Sequence, residues 1–531
     1  MSSNSNAENP EPLSQLPDWS EITYTRLQLR PEPQLPPRVE HLLVEREGSV
    51  VNVVAESLDL PREYVTDLIR FGGIYHAQVP PPPPPNLPSQ ALQAYLDFIA
   101  QHTTDPTSSP SSPSSPSSPS SPTPSSSPSS SSHQPKVTLA ELQKVRRVEV
   151  GGVRGRGVGQ KEKRQRQRSR DKAGKKGTGS GRELRGKRDG RDDRDKENDQ
   201  QQKQKEGEEG EEEYGVRVQA GSYLRVHVHP KRFPMCYSFD WQRSVIVNED
   251  DYVVIDKPYN VPVGGTVDNL LECCAFFGGQ AVGLNRPLQL THQLDLCTQG
   301  CVVMAKNRQF ASYFNQLLQG RKVRKLYKAL TASAPAPGRH IHFMLPDPYS
   351  PKILTREAMP GWQHCELVIR RVEEVPWPAD SALAAADVDC SYWPAADVAY
   401  ECLVELITGR THQLRAQFAA LGAPLIGDTM YGPNQVQQAA PMVIKATISP
   451  GRGAAGVKGN EVGNSGQERR KQLVDAEVLS QAKLLFGAAP EAAIGLQAFS
   501  VRWEEQVEQG KGRVRTAYKE YEAGKPWWRE G

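Results

Sequence analysis

The sequence of 531 residues lacks any long apolar run. No stretch approaches the ~18 consecutive apolar residues that a membrane-spanning helix needs, so the sequence predicts no membrane partner. The polar stretch from Met1 to Pro12 also lacks the apolar segment of a secretory signal peptide. Its glutamates, Glu8 and Glu11, fit poorly with an organelle transit peptide, which is poor in acidic residues. The first residues therefore show no clear targeting signal.

Cysteine is sparse as well. The eight cysteines form no CxxC pair, and no Cys/His spacing is typical of a zinc finger. This pattern indicates reduced cysteines that pack in the interior of an intracellular protein, and it predicts no metal site.

Apolar residues are few for a chain of this length. Hydrophobic residues make up 37% of the sequence, beside 44 prolines and 43 glycines, and the mean hydropathy is −0.60. Such a composition indicates folded cores separated by segments that cannot form one. The main such segment is predicted over residues 80–214, where a polyproline run precedes a Ser/Pro/Thr-rich stretch.

The overall charge of +3 conceals two opposite blocks. Residues 141–190 carry a net charge of +12, and residues 191–214 carry −6. A disordered basic tract can bind phosphates by releasing their counterions. A solvated spacer explains the same composition equally well, so both interpretations stay open.

A small domain is predicted from two separated pieces, residues 37–79 and 215–232. Two helices with apolar residues at helical spacing meet at Asp59-Leu-Pro61 and lead into a strand that begins at Ile74. The alternation at Leu224, Val226 and Val228 predicts a strand with one buried face. We expect these two strands to share one sheet, because a long insertion adds little loop-closure entropy.

A large mixed domain is predicted over residues 240–503, with a flexible insertion at about 436–485. Residues 1–36 are expected to be disordered, and residues 504–531 to form a charged tail. The predicted strands are Tyr252–Ile255, Gly300–Lys306, Lys325–Leu330 and Tyr400–Ile407. The predicted helices are Gln309–Leu318 and Thr411–Leu421.

Four motifs in this domain carry residues suited to chemistry. Asp256-Lys-Pro258 ends a buried strand, and Asp295 precedes the apolar strand that starts at Cys301, where a rigid scaffold would hold a semi-exposed acid. Tyr327 lies among basic residues, as suits stacking on a base beside a phosphate. Each of the three also has an ordinary structural explanation in a turn, a cap or simple packing.

The fourth motif contains two arginines, Arg410 and Arg415, in Thr408-Gly-Arg-Thr-His-Gln-Leu-Arg415. Five residues apart, they cannot share one helical face, so we expect them to meet different partners. One would face solvent or RNA, and the other a buried carboxylate.

In this order the motifs resemble those of the RluA-type RNA pseudouridine synthases. That family has DKPxG, HRLDxxTSG, KxYxAL, TGRTHQLR and GDxxYG. The corresponding stretches are Asp256-Lys-Pro-Tyr-Asn260, His292-Gln-Leu-Asp295, Lys325-Leu-Tyr-Lys-Ala-Leu330, Thr408-Gly-Arg-Thr-His-Gln-Leu-Arg415 and Gly427-Asp-Thr-Met-Tyr-Gly432.

The resemblance implies an α+β fold, with a mixed or antiparallel catalytic sheet and a small S4-like RNA-binding domain carrying long disordered insertions. It also implies isomerisation of uridine in structured RNA (rRNA or tRNA), with no metal and no organic cofactor, by a protein expected to be monomeric. A chloroplast location follows from the resemblance alone, and cytoplasm or nucleus stays open.

The resemblance also assigns roles to three residues. Asp295 would be the nucleophile or key carboxylate. Tyr327 would stack on the flipped base and help to remove the C5 proton. Arg415 would pair with Asp295 and keep it ionised.

Further residues are predicted to contact RNA, on the catalytic domain and on the small domain. They are His292, Gln293, Arg410, His412, Arg70, Arg225, Lys231 and Arg232.

This sequence departs from the family pattern at several positions. Gln293 replaces an arginine thought to hold the place of the flipped nucleotide, Gln299 replaces a serine, and Asn260 replaces a glycine. An alternative is therefore an RNA-binding protein of the same fold without turnover. A glycoside hydrolase would need a second carboxylate, for which Glu401 or Glu405 are candidates.

Overall fold

The computed structural model describes two compact units, one comprising residues 1–231 with 267–269 and the other residues 232–266 with 270–531. The described residues are 27, 35–82, 93, 95–100, 139–149, 152–153, 216–393, 396–433, 435–448, 476–490, 492–509 and 513–529. The N-terminal segment predicted to be disordered and the centres of both predicted insertions lie almost entirely outside them. Among the described helices, none is long and apolar enough to cross a membrane.

The smaller unit contains a sheet in the order β1-β7-β3-β4-β5, a separate β2-β6 pair and the three helices given below. Its strands are β1 (Val39–Leu43), β2 (Gly48–Ser49), β3 (Ile74–Ala77), β4 (Arg146–Glu149), β5 (Gly152–Val153), β6 (Arg217–Val218) and β7 (Tyr223–His227). Its helices are α1 (Val50–Leu58), α2 (Arg62–Phe71) and α3 (Leu139–Leu142).

The expected pairing between distant strands is present in this sheet. Strand β3 runs antiparallel to β7, with Ile74 opposite Val226, although about 150 residues separate them. Leu224 and Val226 are fully buried, whereas Tyr223, Arg225 and His227 are half-buried. The alternation seen in the sequence therefore marks the buried face of β7.

The prediction that residues 80–214 are disordered throughout is wrong for residues 139–149. Strand β4 pairs with β3, placing Tyr75 opposite Arg147. The Arg147 guanidinium donates to the Tyr75 hydroxyl at 2.6 Å and to the Val267 carbonyl at 2.8 Å, and Val148 is fully buried. A buried valine and the contacts of Arg147 thus accompany a paired strand at the start of the basic block.

The larger unit is built on one sheet of eleven strands in the order β14-β13-β15-β16-β12-β17-β11-β9-β8, with β10 added to β11 and β18 to β17. The strands are β8 (Val245–Asn248), β9 (Tyr252–Lys257), β10 (Gln289–Leu290), β11 (Gln299–Ala305), β12 (Val323–Thr331), β13 (Gly338–Met344), β14 (Leu354–Thr355), β15 (Gln363–Pro376), β16 (Val398–Leu406), β17 (Leu496–Gln509) and β18 (Arg513–Glu522). Their pairings are antiparallel except between β11 and β17, which run parallel.

Helices pack against this sheet. They are α4 (Met235–Ser238), α5 (Cys274–Ala281), α6 (Arg308–Gln319), α7 (Asp380–Ala385), α8 (Gln413–Ala420), α9 (Gln435–Ile448) and α10 (Ala476–Lys483), with 3-10 turns at Thr429–Tyr431 and Trp527–Arg529. A mixed α and β architecture is thus confirmed. The α6 and α8 helices lie within a residue or two of the predicted bounds.

Apolar side chains pack on both faces of the sheet. On β11, Val302 and Met304 join one buried cluster, while Cys301 and Val303 join another. This division explains the continuous apolar run of that strand, because each face of the sheet is covered. Of the eight cysteines, all are free thiols and only Cys390 is not fully buried.

The predicted flexible insertion at 436–485 is wrong at both of its ends. Helices α9 and α10 contribute Val443 and Ala482, both fully buried, to one apolar cluster. Residues 449–475, between these helices, lie outside the described part of the chain.

The prediction of a charged tail at 504–531 is also wrong. Strand β18 pairs with β17 along ten residues, from Ser500 opposite Glu522 to Gln509 opposite Arg513. Beyond it, Trp527 and Trp528 are buried, and the Trp528 indole donates to Glu401 at 2.8 Å. The charged residues belong to an edge strand, and the larger unit is described as far as residue 529, beyond the predicted end at 503.

Trp527→Ala is therefore expected to destabilise the larger unit by about 3–5 kcal/mol, because it removes a buried indole that donates to the Ile494 carbonyl at 2.9 Å. Urea unfolding followed by circular dichroism measures the effect. Leu484→Ala, at a side chain 82% exposed, is the control and should change the free energy of unfolding by less than about 0.5 kcal/mol. Equal stability of both variants would contradict a packed C-terminus.

Candidate active site

Asp295 lies on the turn that joins β10 to β11. Its carbonyl accepts a hydrogen bond from the Thr298 N–H at 3.0 Å, and its side chain is 25% exposed. The turn thus presents a carboxylate to solvent immediately before a fully buried strand. A semi-exposed acid on a rigid support is the arrangement predicted from the sequence.

The entry of this turn into β11 requires a glycine. Gly300 has φ of +115°, and a Cβ at this position would lie 2.3 Å from the Ala498 carbonyl oxygen on β17. Only glycine adopts this backbone conformation without strain, and only glycine allows the two parallel strands to approach so closely. Gly300 therefore fixes where Asp295 stands relative to β17.

A buried lysine, Lys257, donates a hydrogen bond to the backbone of the same turn. The Lys257 ammonium donates to the carbonyls of Pro258, Val261 and Leu296, at 2.8, 2.7 and 3.2 Å. Burial lowers the pKa of Lys257 to about 8. Because Leu296 follows Asp295 directly, Lys257 ties the end of β9 to the backbone of the acidic turn.

Arg415 on α8 faces two carboxylates. Its guanidinium makes a bidentate pair with Asp428, at 2.7 and 2.9 Å, and its Nη1 lies 3.6 Å from Asp295 Oδ2. Arg415 and Asp428 are almost wholly buried. Despite burial, the two carboxylates raise the pKa of Arg415 further, so it is permanently charged. The arginine therefore bridges a structural carboxylate and the exposed one.

His412 stands at the start of α8 in the left-handed conformation, with φ of +54°. Its Nε2 lies 3.1 Å from Arg415 Nη1 and 3.9 Å from Asp295 Oδ1. Since arginine only donates, Nε2 accepts, which leaves the ring proton on Nδ1 to be donated to the Tyr431 hydroxyl at 3.1 Å. A strained, non-glycine residue beside a carboxylate is a feature of functional sites.

Tyr327 lies on β12 within the apolar cluster that also contains Leu294 and Leu414. Burial raises its pKa well above the ordinary value, and the negative charge of Asp295 adds to that effect. The phenol therefore stays protonated near neutral pH. Asp295, Tyr327 and Arg415, which are far apart in the sequence, meet at one site.

The other predicted contact residues of this unit divide into exposed and buried ones. Gln293 and Arg410 are exposed, and His412 is mostly buried. His292 is half-buried, and its Nε2 accepts from the Val303 N–H at 3.1 Å, so its contact with RNA stays a prediction. The Arg232 guanidinium is mostly buried and pairs with the fully buried Glu272 at 2.6 Å, which favours a structural role.

The three candidates in the smaller unit have different surroundings. The side chain of Arg70 is 44% exposed beside Asp67, and Lys231 is exposed, with its backbone N–H donating to Asp268. Arg225 is half-buried, with its guanidinium 4.4 Å from the centre of the Tyr75 ring.

The two carboxylates considered for glycoside hydrolysis are structural. Glu401 accepts from Trp528 and Arg529. Glu405 is paired with both Arg324 and Arg370. Neither is available as a catalytic acid, so that alternative is wrong.

Sequence reasoning missed three residues that position the site, namely Lys257, Asp428 and Tyr431. Asp428 and Tyr431 stand in the Gly427-Asp-Thr-Met-Tyr-Gly432 stretch, and Lys257 in Asp256-Lys-Pro258. The signal that could have identified them was their position inside these motifs. Nothing else in the sequence showed that their charged or hydroxyl groups are buried and support the site.

Three buried histidines predict that stability depends on pH. Burial lowers the pKa values of His292, His342 and His412 to about 3, 4 and 4, against 6.5 ordinarily. Below pH 6.5 the unfolded chain binds protons that the folded chain does not. The free energy of unfolding is therefore highest, as far as these histidines are concerned, above about pH 7. It decreases as the pH falls towards 4, by roughly 2 kcal/mol per histidine at pH 5.

Urea titrations between pH 7.5 and 5 measure this dependence. His342→Gln should flatten it by close to one histidine's share, since the amide still meets Gln417 but does not titrate. An unchanged slope in the variant would contradict the assignment of His342.

Comparisons with known proteins agree with these motifs. A family model for RNA pseudouridylate synthase matches residues 251–420. RNA pseudouridine synthase 6, chloroplastic, of Oryza sativa subsp. japonica is 32% identical over 96% of this chain and 83% of its own length. The protein of the same name from Arabidopsis thaliana is 31% identical over 98% of this chain and 88% of its own.

A solved structure, human RNA Pseudouridylate Synthase Domain Containing 4, aligns with 54% of this chain and 90% of its own at a TM-score of 0.30 and 17% identity. That overlap is too weak for a comparison of the folds. The identity to the two plant proteins over nearly the full length of this chain is decisive, and the chain belongs to the RluA-type RNA pseudouridine synthase family.

Proposed function

We propose that this enzyme converts uridine to pseudouridine in rRNA or tRNA through Asp295. The observation that carries the proposal is the buried Arg415 guanidinium, 3.6 Å from a carboxylate that is itself one-quarter exposed. A fixed positive charge at this distance attracts the carboxylate and orients it, while leaving it open to substrate. An inactive RNA-binding protein would have no need of that arrangement.

The reaction requires that the N1–C1′ bond breaks, the base turns, and C5 bonds to C1′. Asp295 acts as the nucleophile or key carboxylate at this junction, N1 gains a proton, and C5 loses one, so the product has the composition of the substrate. The target uridine must first leave its stack, at a cost of a few kcal/mol.

Tyr327 is proposed to stack on the flipped base. Its protonated phenol, buried beside Asp295, is poorly suited to accept the C5 proton. The proposal therefore keeps the stacking role expected from the sequence and leaves the proton to another acceptor.

The test is pseudouridine mapping by carbodiimide adduct and primer extension. Total RNA from cells lacking the protein is incubated with wild type or with Asp295→Ala. A new stop with wild type that is absent with the variant supports the proposal and identifies the target uridine. No stop with either protein, although RNA is bound, would favour the non-catalytic alternative and direct attention to Gln293.

The smaller unit is proposed to be an S4-like RNA-binding domain. The exposed side chains of Arg70 and Lys231 supply the positive charge on it, whereas Arg232 serves packing in the larger unit. Cations that contact phosphates raise affinity for any RNA sequence and do so less at high salt.

The double variant Arg70→Glu with Lys231→Glu is expected to weaken RNA binding at least about tenfold and to lower the salt dependence by roughly one to two phosphate contacts. Filter binding over a series of salt concentrations measures both quantities. Glu56→Lys with Glu63→Lys changes the charge of the same unit by the same amount in the opposite sense, and this control should not weaken binding. Unchanged affinity in the first variant would remove the assignment.

A further inference from the structure

Basic residues follow one another along β12, and all but one of them have a partner. Arg324 is paired with Glu405 at 3.0 Å, and the Lys328 ammonium lies 4.2 Å from the centre of the Phe499 ring. Lys325 has neither. Among the residues that the structure describes, none accepts a hydrogen bond from its ammonium, and no carboxylate lies within ion-pair distance.

The Lys325 ammonium is directed at the turn before α8. A Cβ placed on Gly409 would lie 3.1 Å from Lys325 Nζ, so a side chain there would require the ammonium to shift by a few tenths of an ångström. The next residue, Arg410, has an exposed side chain for which no ion pair is found in the described part of the chain. Two cations therefore flank Gly409 without a counter-charge.

Lys325 also lies near the turn that carries the acid. It stands two residues before Tyr327 on β12, opposite Val501 on β17, with a register shift between Leu326 and Tyr327. Its positive charge is close enough to His292 to lower the pKa of that ring. The turn that carries His292 also carries Asp295. The ammonium is thus near the reacting centre without contacting its carboxylate.

Such a lysine lowers the stability of the free protein. Burial lowers the pKa of Lys325, and no opposite charge offsets that loss. An unpaired, partly buried ammonium is unfavourable to folding, whereas a methionine of similar length would not be. A residue in a cleft that lowers the stability of the free protein indicates a ligand, here an anion, that would pair with its charge.

We propose that Lys325, which lies beside Gly409, binds a backbone phosphate next to the target uridine. The inference rests on the proposed function, since uracil is neutral and the phosphates are the anions that RNA brings to this cleft. Lysine suits a phosphate as a compact point charge with three donors. The contact would hold the ribose of the flipped nucleotide against Asp295, which makes Lys325 a positioning residue.

The first experiment measures turnover of an RNA oligonucleotide that contains the mapped uridine. Lys325→Met is expected to raise KM about tenfold or more, with a smaller change in kcat, and to lower the slope of log KM against log salt by about 0.7. Lys322→Met removes the same charge from an exposed turn three residues away and should change neither quantity. Lys325→Arg should recover part of the affinity.

The second experiment removes the charge from the RNA. Two oligonucleotides each carry one neutral methylphosphonate, on the 5′ or the 3′ side of the uridine. With wild type, one of the two should raise KM by about as much as Lys325→Met does, and it should have no further effect on that variant. Equal penalties in wild type and variant at both positions would overturn the proposal, as would a KM and salt slope unchanged by Lys325→Met.

Two checks separate this inference from other failures. Thermal melting should show Lys325→Met at least as stable as wild type, and Lys325→Gln gives a second uncharged variant for the same assays. If wild type makes no pseudouridine, the proposed function fails. If wild type turns over and the lysine variants match it, only the phosphate contact fails.

Discussion

Replacing Asp295 by asparagine is expected to reduce pseudouridine formation at least about a thousandfold while leaving RNA affinity within about twofold. The amide has the shape of the carboxylate but is a much poorer nucleophile, and the loss of a group that acts only on the reacting bond lowers kcat. Single-turnover assays with the mapped RNA measure the rate, and filter binding measures the affinity.

The control for this variant is Asp380→Asn, at an exposed carboxylate in the first turn of α7. It should retain full activity. A variant Asp295→Asn that keeps more than a tenth of the wild-type rate would show that another group performs the chemistry.

The second large effect is expected at Asp428, which has no exposed side-chain surface and forms the bidentate pair with Arg415. Asp428→Asn leaves a buried guanidinium with one carboxylate at 3.6 Å, and breaking such a pair costs about 3–5 kcal/mol. Activity should fall as well, because Arg415 is then free to turn fully towards Asp295. Urea unfolding and single-turnover kinetics measure the two effects.

A double variant distinguishes the structural and catalytic parts of this pair. Asp428→Leu with Arg415→Met removes both charges, so it should regain most of the stability that Asp428→Asn loses. It should nevertheless stay inactive, because Asp295 has lost its cation. Recovery of activity together with stability would show that Arg415 serves only the fold.

The strands near the site were predictable because each is an apolar run with a definite end. The expected strand Tyr252–Ile255 is observed as Tyr252–Lys257, and Gly300–Lys306 as Gln299–Ala305. Burial on both faces of the sheet leaves a strong signal in the sequence. The order of motifs then indicated which of these strands carry the site.

The C-terminal hairpin was missed for the opposite reason. Strand β18 is an edge strand in which arginine, lysine and glutamate side chains surround Tyr518 and Tyr521, so its composition indicates a solvated tail. Its anchoring depends on Trp527 and Trp528, which pack against residues more than a hundred positions earlier. Contacts of that range are not visible in local composition.

The functional side chains were easier to predict than their supports. Asp295 and Arg415 follow from motif positions, but whether a motif residue faces the cleft or the interior depends on tertiary contacts. His292 faces β11 and Lys257 faces three carbonyls, although both stand in motifs as prominent as that of Asp295. The sequence contains no local feature that separates these cases.

The most direct test of catalysis by Asp295 is tritium release from RNA labelled at C5 of uridine. Bonding of C5 to C1′ expels the C5 hydrogen, so each turnover transfers one label to water. Wild type should release tritium in step with pseudouridine formation, and Asp295→Asn should release none above background. Release by the variant at the wild-type rate, or product formation by wild type without release, would contradict the mechanism.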